Sequence, residues 1–141
     1  MIDFVVKAAL AKWKPLEEQI SEAQALFEED EIKAFVAKQI KGKYVDKNEL
    51  EQQLTTLKNN WHEIREKLKK QIIPYKESRK NLELAGAPVT CEQIGISRER
   101  LRETFYKAQT LRNRFTVLDV AVRTGYMDEW IEDLFGESGI L

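Results

Sequence analysis

The stretch "DKNELEQQLTTLKNNWHEIREKLKKQII", residues 46–73, decides how this chain folds. Leu50, Leu54, Leu57, Trp61, Ile64 and Leu68 recur at steps of four, three, four, three and four. That spacing puts them on one stripe of an α-helix, an a/d seam of nearly three heptads. Asp46 and Glu49 stand three residues apart just before the seam, a charged relative of the capping box. A helix over residues 46–73 would be roughly 40 Å long at 1.5 Å per residue. The seam has two possible uses. It packs against neighbouring helices of its own domain, or it pairs two copies of the chain into a homodimer.

The remaining sequence follows the same pattern. Of 141 residues, 43% are hydrophobic and 33% charged, with only six glycines and three prolines. Leu, Glu, Lys, Gln and Ala, all good helix formers, are abundant. The fold class expected is therefore all-α: a multi-helix bundle with one long helix and no sheet. A first short apolar helix covers residues 2–13. Pro15 opens a second, with Leu16, Ile20, Ala23 and Phe27 on one face. A third runs over residues 30–41, with Ile32, Phe35, Val36 and Ile40 inward and Gly42 just past its end. Pro74 separates the long helix from one carrying Tyr75, Leu82 and Ala85. Thr90 and Gln93 cap a single turn that Gly95 closes, and Ser97 caps the next helix. "FTVLDVAV" is β-branched enough for a strand. Thr116 and Asp119 at one end and Gly125 at the other make it a helix instead. Asp128 is expected to cap a last helix ending before Gly136.

Charge is distributed unevenly along a chain of net charge −1. Seven acids and no base lie between Lys14 and Lys33. Asp128, Glu129, Glu132, Asp133 and Glu137 close the chain without a base after Arg123. Five of the eight arginines, by contrast, fall in "ISRERLRETFYKAQTLRNRFTVLD", residues 96–119. A nucleic-acid surface built from Arg98, Arg100, Arg102 and Arg114 is one reading. Nucleic-acid-binding domains usually have a pI above about 9, whereas this chain has a pI of about 6.0. No nucleic acid is therefore expected as a partner. At 100° per residue, Leu101, Phe105, Ala108, Leu111 and Phe115 form the apolar stripe of this segment, and Arg112 falls inside it. A charge on the core side has to be paired and hydrogen-bonded. Arg112 is then a tie between helices, with Asp119 or an acid of the last helix as its carboxylate. Two alternatives stay open: Arg112 walls a cleft or meets a phosphate, or the helix ends before it and the arginine is solvated.

Several kinds of chemistry are excluded. His62 is the single histidine and Cys91 the single cysteine, which leaves no ligand set at zinc or iron spacing. There is no G-x-G-x-x-G and no phosphate-binding loop. Cys91 has no nearby histidine in sequence and is read as a small packing residue. No run approaches the ~18–20 apolar residues of a membrane span. The N-terminus shows no basic leader. No membrane association and a cytoplasmic location are expected.

One stretch adds a further reading. "LELAGAPVTCEQIGISRERLRETFYKAQTLRNRFTVLDVAVRTGYMDEWIEDLF" resembles the C-terminal part of bacterial sn-glycerol-1-phosphate dehydrogenases. These group with glycerol dehydrogenases, iron-containing alcohol dehydrogenases and dehydroquinate synthases. The likeness is carried by Ala85-Gly86-Ala87-Pro88, Ile94-Gly95-Ile96-Ser97-Arg98-Glu99, "RNRFTVLD" from Arg112 to Asp119, and "DEW…LF" ending at Phe135. "KGKYVD", beginning at Lys41, and Trp61 extend it, so that it spans residues 40–135. The resemblance implies a two-domain enzyme. A nucleotide-binding domain holds NAD(P)H, and a helical domain holds a divalent metal through an Asp and two His. Dihydroxyacetone phosphate or glycerol 1-phosphate reacts between them. Residues 1–141 would then be the single helical domain, without the nucleotide domain and the metal histidines, and inactive alone. No catalytic, cofactor-binding or metal residue carries over. Arg112, Arg114 and Asp119 remain as ties or cleft wall. Leu50, Leu54, Leu57, Trp61, Ile64 and Leu68 remain as the packing or dimer seam. The alternative is a stand-alone helical interaction module.

Overall fold

A computed structural model describes residues 2–136, Gly139 and Leu141. Glu137, counted above among the closing acids, lies outside the described residues. The architecture is all-helical, with no strand among the described residues. In chain order the helices are α1 (Ile2–Lys12), α2 (Leu16–Ala25), α3 (Asp30–Lys43), α4 (Lys47–Gln71) and α5 (Tyr75–Leu84). A 3₁₀ turn, Glu92–Ile94, precedes α6 (Arg98–Thr110), α7 (Val117–Thr124) and α8 (Met127–Phe135).

Local chemistry explains most boundaries. The Asp46 carboxylate accepts the Glu49 N–H at 2.8 Å, and the Glu49 carboxylate accepts the Asp46 N–H at 3.1 Å. This reciprocal box satisfies two of the donors that a helix start leaves open. Thr116 and Asp119 form a second box at the start of α7. The Ser97 hydroxyl accepts the Arg100 N–H at 3.2 Å. Gly125 takes φ +75° past α7, a left-handed conformation that other residues reach only with strain. Two expected boundaries shift. α3 runs through Gly42 to Lys43, because the chain turns extended only at Tyr44. Tyr126, not Asp128, precedes α8, and Asp128 sits in its first turn, accepting the Tyr106 hydroxyl at 2.9 Å.

Two small cores hold the helices together. Ala23 on α2 with Val36 and Ile40 on α3 form the first, flanked by Leu16, Ile20, Phe27 and Ile32. Phe35 was expected inward and is instead half exposed, one position round the helix from buried Val36. Ala9 on α1 with Leu50 and Leu54 on α4 form the second. Trp13 closes it, donating from Nε1 to the Val45 carbonyl at 2.9 Å and stacking with Tyr44. α7 and α8 add the buried residues Ala121 and Ile131.

The seam of α4 is thus covered at one end only. Leu50 and Leu54 are buried, Leu57 and Ile64 are half-buried, and Trp61 and Leu68 are 48% and 40% exposed. Packing of the whole seam inside the domain, the first of the two expected uses, is corrected to packing of its first half. Ala9 of α1 packs against Leu50 and Leu54 near the start of α4, and α5 carries no buried residue of its own. Leu50→Ala should cost about 2–5 kcal/mol, the range for deleting a packed leucine. Leu68→Ala should cost well under about 1 kcal/mol, and Asp46→Ala about 1 kcal/mol through its lost cap. Urea unfolding of the three variants checks this order.

Candidate functional site

Asp119 is the most constrained polar side chain, 3% exposed in the first turn of α7. Its Oδ1 accepts from Lys43 Nζ at 2.7 Å and from Gln109 Nε2 at 3.0 Å. Its Oδ2 accepts from the Thr116 N–H at 2.8 Å and the Thr116 hydroxyl at 3.0 Å. Lys43 Nζ also donates to the Gln109 carbonyl. One carboxylate therefore starts α7 and joins it to the end of α3 and the end of α6. Burying a charge is tolerated when it is paired and its remaining lone pairs are filled, as they are here. No buried side-chain N or O among the described residues lacks a partner.

Arg123, one turn further along α7, reinforces the junction. Its guanidinium donates to the Lys43 carbonyl at 2.8 Å and to Gln53 on α4, and lies 4.7 Å from the centre of the Phe115 ring. Burial, the leading cause, pulls its pKa below the usual arginine value, against the opposing pull of Asp119 and Glu49.

The two arginines singled out in the sequence lie elsewhere. α6 ends at Thr110, so Arg112 leaves the helix before it reaches the apolar stripe, and it is exposed. It is not the buried tie. Lys43, 76 residues from Asp119 in sequence, takes that place. Arg112 and Arg114, both exposed, line a groove of about 430 Å³ with Leu111, Thr116 and Val117. Arg98 and Arg102 fasten α6 to α8. Arg98 donates to the Phe135 carbonyl at 2.8 Å and lies over the Phe135 ring, and Arg102 pairs with Glu132.

A second feature is apolar. Two clefts, of about 570 and 360 Å³, open on either side of Leu57 and Val120 where α4 crosses α7. Ile64, Phe115 and Arg123 line the first; Trp61, Tyr126 and Trp130 line the second. Phe115 is 58% exposed. Together they make one open apolar face, of which the seam of α4 forms one side.

Among the described residues, no three His, Cys, Asp or Glu side chains come together as a metal-holding group. Desolvation first, then a hydrogen bond with Glu92, raises the Cys91 thiol above its usual pKa. That lowers its thiolate fraction at neutral pH. No helix among the described residues is long and apolar enough to cross a membrane. No family model, curated protein or solved structure matches the chain.

Three substitutions separate these roles. Asp119→Ala strands Lys43 and should cost about 3–5 kcal/mol. The paired replacement Lys43→Met with Asp119→Leu should cost less than Asp119→Ala, because no buried charge remains. Arg112→Ala should stay within about 0.5 kcal/mol of the parent. Thermal and urea unfolding read all three. In a thiol-reagent assay at pH 7.5, Cys91 should react more slowly than an unstructured cysteine peptide.

Proposed function

We propose that this chain is the helical, metal- and substrate-side domain of an NAD(P)-dependent oxidoreductase of the sn-glycerol-1-phosphate dehydrogenase type. The nucleotide-binding domain and metal histidines that such an enzyme needs are not among these 141 residues, and the chain alone is inactive. The open apolar face where α4 crosses α7, lined also by Trp130 of α8, carries the reading. Contiguous apolar surface of this kind marks a contact with another body, and a nucleotide domain, on the same or a separate polypeptide, supplies one. The groove holding Arg112 and Arg114 supports it further. Two guanidinium groups at the rim suit the wall of a cleft that receives a phosphate-bearing substrate.

The same face favours one other reading, a stand-alone interaction module or homodimer that buries Trp61 against its partner. The size of the native polypeptide in its source cells separates the two. An antibody raised against this segment should detect a band far above 16.5 kDa, and that longer polypeptide should oxidise NAD(P)H with dihydroxyacetone phosphate. The 141-residue chain should show no such activity. A native band at 16.5 kDa with an obligate partner lacking any nucleotide domain would favour the interaction module.

A further inference from the structure

Beyond Leu57 the long helix leaves the two cores behind. Its seam continues through Trp61, Ile64 and Leu68, and Ile72 and Ile73 follow at 60% and 58% exposure. Charge changes over the same stretch. Residues 58–84 hold eight Lys and Arg against four Glu, a net of +4 in a chain of net −1. With Trp61 and Leu68 at a and Ile64 at d, the flanking e positions are Lys58 and Arg65, and the g positions are Asn60 and Lys67. No acid flanks this half of the seam.

That pattern selects among occupants. A second copy laid parallel on the seam faces Lys58 with Gln53, Arg65 with Asn60 and Lys67 with Ile72, and so meets none of the three with an acid. Laid antiparallel, it sets like residues against each other. Self-pairing thus gains no complementary charge in either orientation, whereas a partner of the opposite sign does. The Glu63–Lys67 and Glu66–Lys69 pairs on α4 do not remove this preference. Exposed pairs three or four residues apart on one helix are weak.

We propose that residues 57–68 of α4 are the docking site for an amphipathic helix with acidic flanks. That helix belongs to the domain that completes this one. The inference rests on the domain reading above and adds to it the chemistry of the contact. Apolar anchors at helical spacing enter the clefts beside Leu57. Glu or Asp side chains on the incoming helix face Arg65 and Lys67.

The test uses the 141-residue chain and three labelled, three-heptad synthetic peptides. The first has Leu at a and d with Glu at e and g. The second has Lys in place of Glu, and the third is a scramble of the first. The acidic amphipathic peptide should bind at least tenfold more tightly than either control, and Trp61→Ala should weaken it at least tenfold. Arg65→Glu combined with Lys67→Glu should reverse the preference toward the Lys peptide. Circular dichroism should show all variants folded, since the altered side chains are exposed. Equal binding of acidic and basic peptides, or indifference to Trp61→Ala, would overturn the proposal. So would sedimentation showing a dimer that Trp61→Ala dissolves, or capture by phosphatidylserine vesicles with no peptide preference. Failure here with an active longer polypeptide removes the docking site and leaves the dehydrogenase reading standing. Success here with a polypeptide inert toward dihydroxyacetone phosphate does the reverse.

Discussion

The buried carboxylate of Asp119 is the constraint on which the junction of α3, α6 and α7 depends. A carboxylate out of water has two oxygens to satisfy, and each receives two donors. Two of the four come from Thr116 and fix where α7 begins. The other two come from Lys43 and Gln109 and fix where α7 sits. Helix initiation and tertiary placement are therefore a single event: the box at Thr116 forms around a carboxylate that only the closed fold can neutralise. Lys43 belongs to the last turn of α3, where a positive charge also complements the helix dipole. Arg123 then donates to the Lys43 carbonyl, so the same helix end is held from two sides.

The rest of the molecule divides around this junction. On one side α2 packs on α3, and α1 packs on the start of α4. On the other, the second half of α4 and all of α5 carry no buried residue. The division in packing coincides with a division in charge. The acids of α2 lie with the packed part and the lysines of α4 with the open part. Neither feature alone would point to a partner, since scattered exposed apolar residues are ordinary. Their coincidence on one helix face, beside clefts lined by Trp61, Phe115 and Trp130, is what distinguishes this surface.

Which features were legible in the sequence follows from range. The boxes at Asp46 and Thr116, the Ser97 cap and the turn at Gly125 involve residues a few positions apart, and local pattern identifies them. The inward faces of α2 and of the first half of α4 follow from periodicity. Arg112 shows where periodicity misleads. Its place in the stripe assumed that α6 continued, whereas the helix ends at Thr110 and angular position loses meaning after it. The true partner of Asp119 lies 76 residues away. "KGKYVD" gave no sign that Lys43 rather than Lys41 turns inward, because α3 was expected to stop before Gly42. One boundary error of two residues was enough to hide the tie. The apolar face was half legible for the same reason: Leu57 and Trp61 share a helix, while Phe115 and Trp130 reach them only through the fold.

The open half of α4 can nevertheless keep its shape without a partner. Its start is fixed by the Asp46–Glu49 box and by the burial of Leu50 and Leu54, so the costly nucleation of the helix is already met inside the domain. Beyond that point each residue only propagates an existing helix, through a sequence of Lys, Glu, Asn and Leu with no Gly or Pro until Pro74. The exposed seam is then a preformed surface rather than a segment that must fold on contact. A partner meeting it loses less free energy to ordering than one that must organise the helix itself. The two halves of α4 thus have complementary tasks: the buried half sets the helix, and the set helix presents the exposed half.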